Sequence, residues 1–269
     1  MTATLPKFTD IAVTIDGHVA TVEIRRPPHN FFDMELIQQI AVAFEALDKV
    51  HEVRALVLAA DGKSFCAGAN FGDGSKLDKD GNRPDESTRT NSAHLYQEAV
   101  RLFRTTKPIV GSIQGPAIGG GLGLALVPDF RVACPEARFA ANFTRLGFHP
   151  GFGLTHTLPA LIGAQQASLM FYTGRRLNGE EALKIGLADV LVPMAEVRIA
   201  AQKLAAEIAE CAPLAIAATR ATMRQGLAER IKAQTDHELK LQQDLRRSSD
   251  FKEGVKASAE RRAPIFTGR

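Results

Sequence analysis

Apolar and polar positions alternate near the start of the chain, on both sides of the pair Asp16-Gly17. This alternation over Ile11–Ile24, with a DG pair at its centre, predicts a β-hairpin. Apolar residues then return at helical spacing from Met34 to Val50, and the apolar run Ala55–Ala60 is typical of a buried strand. The chain is therefore predicted to open with a hairpin, a helix and a strand.

The same succession of elements occurs again further along. A polar stretch over residues 72–91 leads into a helical pattern around Leu95–Phe103 and then into the apolar run Ile109–Ile113. Strand-like segments follow at Phe130–Cys134 and Ala137–Ala141. Helices that alternate with buried strands predict an α/β layer in which the strands are parallel.

The second half of the chain has a helical pattern from Gly153 to its end, interrupted by a short strand at Asp189–Val192. Asn178, with Glu181 three residues later, is predicted to cap one of these helices. We predict two regions, a core over residues 1–195 and an amphipathic helical region over residues 196–269. The second region is expected to pack on its own core or on a neighbouring subunit.

The composition is that of an ordinary globular protein, with 269 residues, 45% hydrophobic and 23% charged. A net charge of +3, without a basic stripe, gives no indication of a nucleic-acid or membrane surface. No signal-peptide pattern is recognised, and three widely spaced cysteines predict neither a disulfide framework nor a metal site. We expect a cytoplasmic protein.

Two short motifs stand directly after predicted strands: SFCAGAN at Ser64–Asn70 and GPAIGGGLG at Gly115–Gly123. Both place small residues where a backbone must approach another group closely. A dinucleotide-binding turn would need a glycine where Leu124 stands, and a P-loop would need a GK[ST] sequence, which does not follow. The motifs therefore indicate a different kind of site.

In these motifs the chain resembles the crotonase superfamily, the enoyl-CoA hydratase/isomerase enzymes. The resemblance continues through RPPHNFF, LGFHPGFGLTHTLPALIG, FYTGRRLNGEEALKIGLADVLVP and the ending SSDFKEGVKASAERRAPIFTG. It implies an α/β fold with a spiral ββα core and a C-terminal helical region. It also implies an acyl-coenzyme A thioester as substrate.

The resemblance further implies an oxyanion hole formed by the backbone N–H groups of Ala69 and Gly120. Such a pair of donors stabilises the negative charge that develops on a thioester oxygen. Losing one donor typically lowers the rate by about a hundred- to a thousandfold. The residues expected around the substrate are Ala67, Gly68, Asn70, Phe71, Gly119, Gly123, Phe143 and Arg261.

The two catalytic glutamates of a hydratase of this family are missing. Their positions fall on Gly123 and Phe143, and the glutamate of some isomerases falls on Gly151. A general acid or base usually contributes about a hundred- to ten-thousandfold. Ordinary hydration is therefore expected to be slow, and Phe143 is expected to line a pocket for an apolar or aromatic acyl group.

Few side chains offer a substitute for these carboxylates. His149 follows the second motif strand and could transfer protons near neutral pH, although a histidine beside Pro150 can equally serve to hydrogen-bond the turn. Cys66 is expected to be a buried packing residue. Arg261 matches a family lysine that meets a coenzyme phosphate, whereas Ser258 replaces the phenylalanine that accompanies this lysine.

Three hypotheses follow. The first is an active hydratase/isomerase-type enzyme with an altered acid–base set. The second keeps the oxyanion hole for thioester hydrolysis, decarboxylation or carbon–carbon cleavage, and the third is an acyl-CoA-binding protein without turnover. No metal or redox cofactor is implied, because coenzyme A enters with the substrate, and the resemblance implies a homotrimer or a dimer of trimers.

Overall fold

A parallel sheet with one antiparallel edge forms the centre of the protein. The structure is a computed structural model that describes residues 6–70 and 87–269, with the backbone alone for residues 87–94. Within this part of the chain, six strands pair in the order β1-β2-β3-β4-β6-β9. Only β1 and β2 are antiparallel, since they form the opening hairpin. These strands are β1 (Ile11–Asp16), β2 (Val19–Ile24), β3 (Ala55–Ala60), β4 (Ile109–Ile113), β6 (Phe130–Ala133) and β9 (Val190–Leu191).

A second, smaller sheet lies beside the first and carries the second glycine motif. It consists of β5 (Pro116–Ile118), β7 (Arg138–Ala140) and β8 (Arg176–Asn178), in that order. The prediction of an almost wholly helical chain after Gly153, with one strand at Asp189–Val192, missed the strand β8, which pairs antiparallel with β7. The strand β8 contains a single apolar residue, which is too few to give a recognisable strand pattern in the sequence.

The predicted helices are present and surround the two sheets. Asn178 caps its helix as predicted, since its side chain accepts from Glu181 N and the Glu181 carboxylate accepts from Asn178 N. The helices are α1 (Met34–Asp48), α2 (Ser87–Leu102), α3 (Gly120–Ala125), α4 (Leu154–Ile162), α5 (Ala164–Thr173), α6 (Gly179–Lys184), α7 (Val197–Glu210), α8 (Pro213–Met223), α9 (Leu227–Leu245) and α10 (Ser249–Ala259), with 3₁₀ helices at Asn142–Leu146 and Met194–Glu196.

Helices of the C-terminal region contact the core directly. The helix α7 packs on β3, β4 and β6, and α9 packs on α2 and α4. Buried arginines add ion pairs: Arg131 contacts Asp189 at 2.9 Å, and Arg220 and Arg224 both contact Asp129. The boundary at residues 195/196 stays a prediction, although α7 belongs spatially to the layer over the main sheet.

Candidate active site

The two glycine motifs meet at the carboxyl ends of β3 and β5. Cys66 N donates to the carbonyl of Pro116, and Ile118 N donates to the carbonyl of Cys66, both at 3.0 Å. These bonds extend the pairing of β5 onto the first motif. As a result, a Cβ built on Gly68 would lie only 3.7 Å from the amide nitrogen of Gly120. The parallel arrangement of the strands thus brings Gly68–Ala69 beside Gly119–Gly120.

Glycine is required at two of these positions for different reasons. Gly68 has a φ of +84°, and a Cβ there would lie 2.7 Å from the carbonyl oxygen of Ile118. At Gly120 a Cβ would overlap the ring of Phe32. A side chain at Gly68 would push the two motif segments apart, whereas a side chain at Gly120 would displace the ring of Phe32.

The backbone of Ala69 and of Gly120 borders a cavity, and neither N–H group has a hydrogen-bond partner among the described residues. Both residues line a cavity, and Ala69 is exposed. Among the described residues, no backbone carbonyl accepts a hydrogen bond from either group. By contrast, the neighbouring Gly119 N donates to the carbonyl of Ala140 at 2.8 Å. The expected pair of donors therefore borders the same cavity, and its role stays a prediction.

The segment that precedes α1 supports the first motif from behind. The buried amide of Asn30 donates to the carbonyls of Asp61 and Ser64, both at 2.7 Å, and accepts from Arg26 N. Phe32 N then donates to the carbonyl of Gly68 at 3.0 Å. Asn30 therefore holds the segment before α1 in place, and this segment in turn holds the backbone next to Ala69.

The cavity has a volume of about 330 Å³ and a largely apolar wall. Phe143 lies in this wall, as expected for an apolar or aromatic acyl group, and its ring packs edge-on against Phe148. The apolar side chains around the cavity are Phe31, Phe32, Leu95, Ile118, Phe143, Leu146, Phe148, Phe152 and Val255. Among the described residues that line it, none is acidic and none is a histidine.

The structure shows the surroundings of Phe143, Gly123 and Gly151, the three positions at which the sequence analysis expects a family glutamate to be replaced. Phe143 fills one position with its own ring, whereas Gly123 does not line the cavity, because Phe152 covers it. A Cβ on Gly123 would lie 2.7 Å from three atoms of the Phe152 side chain. The third position, Gly151, faces Tyr96 Oη and Gln242 Nε2, which leave no room for a side chain there.

Of the other predicted site residues, Ala67, Gly68, Asn70 and Gly119 line the cavity. Phe71 lies outside the described residues. His149 and Arg261 do not line the cavity: His149 Nδ1 lies 2.8 Å from the carbonyl oxygen of its neighbour Pro150, and Arg261 is exposed just beyond α10. Ser258, one turn earlier on that helix, does reach the cavity.

Two titratable groups near the site have perturbed proton affinities. Burial raises the pKa of the Cys66 thiol to about 12, so this residue is a protonated packing group at neutral pH. Burial lowers the pKa of His149, the hydrogen bond with the carbonyl of Pro150 opposes this effect, and electrostatic interaction with His237 lowers the pKa further. His149 is therefore neutral at pH 7, half-buried and directed at its own turn.

Polar residues of the helices form a part of the cavity that the sequence analysis missed. Tyr96 on α2 and Gln242 on α9 are buried, and Tyr96 Oη donates to Gln242 Oε1 at 2.5 Å. Gln242 Nε2 donates in turn to the carbonyl of His149 at 2.8 Å. Arg246, one helical turn after Gln242, also lines the cavity, as does Arg176 of β8. These residues lie far apart along the sequence, so no local pattern predicts that they line the same cavity.

A buried glutamate shapes the loop under the cavity. Glu238 on α9 accepts from the N–H groups of Gly153 and Thr155, at 2.7 and 2.9 Å, and from the Thr155 hydroxyl. It is fully buried, and this burial raises the pKa of its carboxyl group to about 7, against the opposing effect of those hydrogen bonds. Its carboxylate holds the turn that carries Phe152, but it does not line the cavity.

The described residues contain no cluster of histidine, cysteine, aspartate and glutamate side chains suited to a metal ion. None of the helices in this part of the chain has the length and apolar character needed to span a membrane.

Comparison with known proteins identifies the family. The family model for enoyl-CoA hydratase/isomerase matches residues 14–269, and the chain belongs to this family. A protein named "Probable enoyl-CoA hydratase" from Rhodobacter capsulatus is 34% identical over 218 residues, which cover 81% of this chain and 82% of that protein. A carnitinyl-CoA dehydratase from Proteus mirabilis is 32% identical over 262 residues, or 96% and 98% of the two chains.

Solved structures agree with this assignment. An enoyl-CoA hydratase/isomerase from Pseudoalteromonas atlantica superposes with a TM-score of 0.83 at 28% identity, covering 96% of this chain and all of that chain. An enoyl-CoA hydratase from Mycobacterium avium subsp. paratuberculosis gives a TM-score of 0.81, also at 28% identity, with 97% and 100% covered. The predicted crotonase fold is confirmed, and the protein is an enzyme of this family.

Proposed function

We propose that the protein binds an acyl-CoA thioester and polarises its carbonyl with the N–H groups of Ala69 and Gly120. The observation that carries this proposal is the meeting of the two motifs, with both donors on one cavity and neither bonded to a carbonyl among the described residues. Two donors aimed at a developing oxyanion are usually the largest single contribution to acyl-transfer and enolate chemistry. A thioester carbonyl is the group that fits between them.

We further propose that simple addition of water to an enoyl-CoA is slow. The described cavity wall holds no carboxylate, Phe143 and Gly123 stand at the two glutamate positions, and Phe152 fills the space beside Gly123. Thioester hydrolysis, decarboxylation and carbon–carbon cleavage remain reactions that the same donors would promote. The reaction is therefore proposed to be one in which the carbonyl is polarised without that pair of glutamates.

The assembly is proposed to be a homotrimer or a dimer of trimers. In the monomer, the C-terminal helices expose large apolar side chains, among them Leu214 at 84% exposure, Met223 at 80% and Ile199 at 65%. Such side chains are expected to be covered by another subunit. Light scattering after size exclusion tests this assembly, and a monomeric mass would contradict it.

The protein is also proposed to be cytoplasmic. Its three free cysteines support this location.

The activity is tested by incubating the protein with crotonyl-CoA and with cinnamoyl-CoA, whose acyl group is aromatic. Loss of the conjugated thioester absorbance and the masses of the products are followed together. We expect binding of both, with slow addition of water. If neither thioester binds, the proposed function is wrong; rapid hydration would contradict the proposed role of the missing glutamates.

A variant pair sharpens this test. Phe143→Glu places a carboxylate on the cavity wall, and Phe143→Gln is its uncharged control of the same size. We expect Phe143→Glu to hydrate crotonyl-CoA at least about tenfold faster than Phe143→Gln, which is below the usual contribution of a well-placed acid or base. Equal rates in the two variants would show that a carboxylate at this position does not take part.

A further inference from the structure

Each proposed donor shares a peptide group with a carbonyl that has a hydrogen-bond partner of its own. The carbonyl of Gly68 and the N–H of Ala69 belong to one planar group, and this carbonyl accepts from Phe32 N at 3.0 Å. The carbonyl of Gly119 is joined in the same way to the N–H of Gly120, and it accepts from an N–H group of α3 at 3.0 Å. In a trans peptide group the N–H points opposite to the carbonyl. The partner of each carbonyl therefore sets the direction of the N–H group behind it.

The two peptide groups differ in what holds them. Gly120 begins α3, so the first bonds of that helix fix its peptide group. Ala69 lies in a loop, and among the described residues only Phe32 donates a backbone N–H to the carbonyl of Gly68. A carbonyl that accepts a hydrogen bond also polarises its own peptide group, which makes the N–H of that group a stronger donor. The direction and the strength of the Ala69 N–H thus depend on the backbone of Phe32.

The side chain of the same phenylalanine supports the other donor. A Cβ built on Gly120 would lie 2.3 Å from Cζ and 2.5 Å from Cε1 of Phe32, so the edge of the buried ring lies against the backbone of Gly120. Outside α3 and the adjoining residues of the chain, the three atoms nearest to that position all belong to this ring. Phe32 therefore holds the peptide group of Ala69 with its backbone and contacts Gly120 with its ring.

Two residues with a left-handed backbone hold Phe32 in this position. Asn30, with a φ of +49°, fixes the segment that carries the backbone of Phe32 through the hydrogen bonds of its buried amide. Phe152, with a φ of +66°, packs on the ring of Phe32 with ring centroids 5.8 Å apart. Asparagine adopts this conformation more readily than phenylalanine does. A strained residue such as Phe152 persists only where the surrounding structure holds it, and such residues cluster at functional sites.

We propose that Phe32 is the positioning residue for both donors. Its backbone N–H orients the peptide group that presents the N–H of Ala69, and its ring fixes the backbone of Gly120. Phe32 acts through these two peptide groups, although its side chain also lines the cavity. This inference rests on the proposed function, because it assumes a thioester carbonyl held between Ala69 and Gly120.

The test separates the backbone of Phe32 from its side chain. Phenyllactic acid incorporated at position 32 exchanges the backbone N–H for an oxygen and keeps the ring, so it removes the bond to Gly68. Phe32→Leu keeps that bond and withdraws the ring from Gly120. The same two changes at Phe31 are the matched controls, because Phe31 lines the same cavity but its ring packs on His29, with centroids 5.2 Å apart. Among the described residues, its N–H donates to no backbone carbonyl.

The main readout is the infrared carbonyl stretch of bound hexanoyl-CoA labelled with ¹³C at the carbonyl, which falls as the carbonyl is polarised. Each change at Phe32 should return this frequency part of the way towards its value in water, whereas both changes at Phe31 should leave it at the wild-type value. By titration calorimetry, each change at Phe32 should weaken hexanoyl-CoA binding roughly two- to tenfold, as for one lost hydrogen bond, and leave the affinity for free coenzyme A unchanged. A merely structural role would lower stability without this selective effect on the thioester.

Two results would overturn the inference and leave the proposed function intact. One is a wild-type carbonyl frequency in either Phe32 variant, and the other is an equal change of frequency in the matching Phe31 variant. If the wild-type protein itself binds hexanoyl-CoA without lowering the carbonyl frequency, the proposed function fails as well. The phenyllactate variant retains the buried ring, so it tests the inference even if Phe32→Leu does not fold.

Discussion

The close approach of Gly123 and Phe152 predicts that Gly123→Ala destabilises the wild-type protein but stabilises a variant without the Phe152 side chain. Gly123 lies inside α3, where alanine is the better helix former by about 1 kcal/mol. A Cβ there would, however, lie 2.7 Å from Cβ, Cγ and Cδ1 of Phe152. Phe152 has a φ of +66°, a conformation that glycine adopts without strain. The variant Phe152→Gly therefore removes all three clashing atoms and suits the backbone.

The expected free energies of unfolding follow from these contacts. In the wild-type background, overpacking by one methyl group costs about 1–3 kcal/mol, so Gly123→Ala should be destabilising by up to about 2 kcal/mol after the helix gain. Phe152→Gly alone should cost about 2–4 kcal/mol, since it deletes a buried ring but relieves the positive φ. In the Phe152→Gly background, Gly123→Ala should instead stabilise by about 0.5–1 kcal/mol.

Urea unfolding of the four proteins of this cycle measures the coupling between the two positions, expected to equal the overpacking cost of about 1–3 kcal/mol. The control is Gly121→Ala in the same helix, whose Cβ would meet the carbonyl oxygen of Cys66 instead of Phe152. It should be destabilising in both backgrounds. If Gly123→Ala is destabilising to the same extent with and without the Phe152 side chain, Phe152 does not occupy the space of the missing glutamate.

Two further predictions concern the support of the site. Burial raises the pKa of Glu238 from 4.5 to about 7, so between these values the folded chain retains a proton that the unfolded chain releases. The contribution of Glu238 to the free energy of unfolding is therefore fully present below pH 4.5 and is lost as the pH rises through 7. Between about pH 5 and pH 8 the wild-type protein should lose up to about 3 kcal/mol of unfolding free energy relative to Glu238→Gln, and parallel urea-unfolding curves would contradict this. Asn30→Ala should cost about 3 kcal/mol, since it removes all three hydrogen bonds of this buried amide at about 1 kcal/mol each. A thermal shift like that of an exposed asparagine variant would refute that role.

Local patterns were sufficient for much of the fold. The hairpin, α1 and β3 have strong period-2, helical and apolar patterns, and the structure places them where the sequence predicts. The strands β5 and β8 were not predicted, because neither short segment has the apolar pattern of a strand. Pro116–Ile118 lies within a glycine-rich motif, and Arg176–Asn178 has one apolar residue. Their extended form comes from pairing with β7, which is a tertiary effect.

Some residues of the candidate site could likewise be predicted from the sequence, and others could not. Ala69 and Gly120 belong to contiguous motifs, so the resemblance was sufficient to expect both beside one cavity, and their role as donors stays a prediction. Arg246 and Tyr96 could not, because each reads as an ordinary polar residue of a helix, and only the packing of α9 on α2 brings them together. No local pattern in the sequence predicts that Phe152 covers Gly123, because that contact depends on the loop held by Glu238.

The central claim is that the carbonyl of a bound thioester accepts hydrogen bonds from Ala69 and Gly120. Isotope-edited infrared difference spectroscopy with hexanoyl-CoA labelled with ¹³C at the carbonyl measures this directly. The carbonyl stretch should move to lower frequency than in water, and Gly68→Ala, which forces Ala69 away from Gly120, should reverse most of the shift. A bound carbonyl that absorbs at or above its frequency in water would contradict the account.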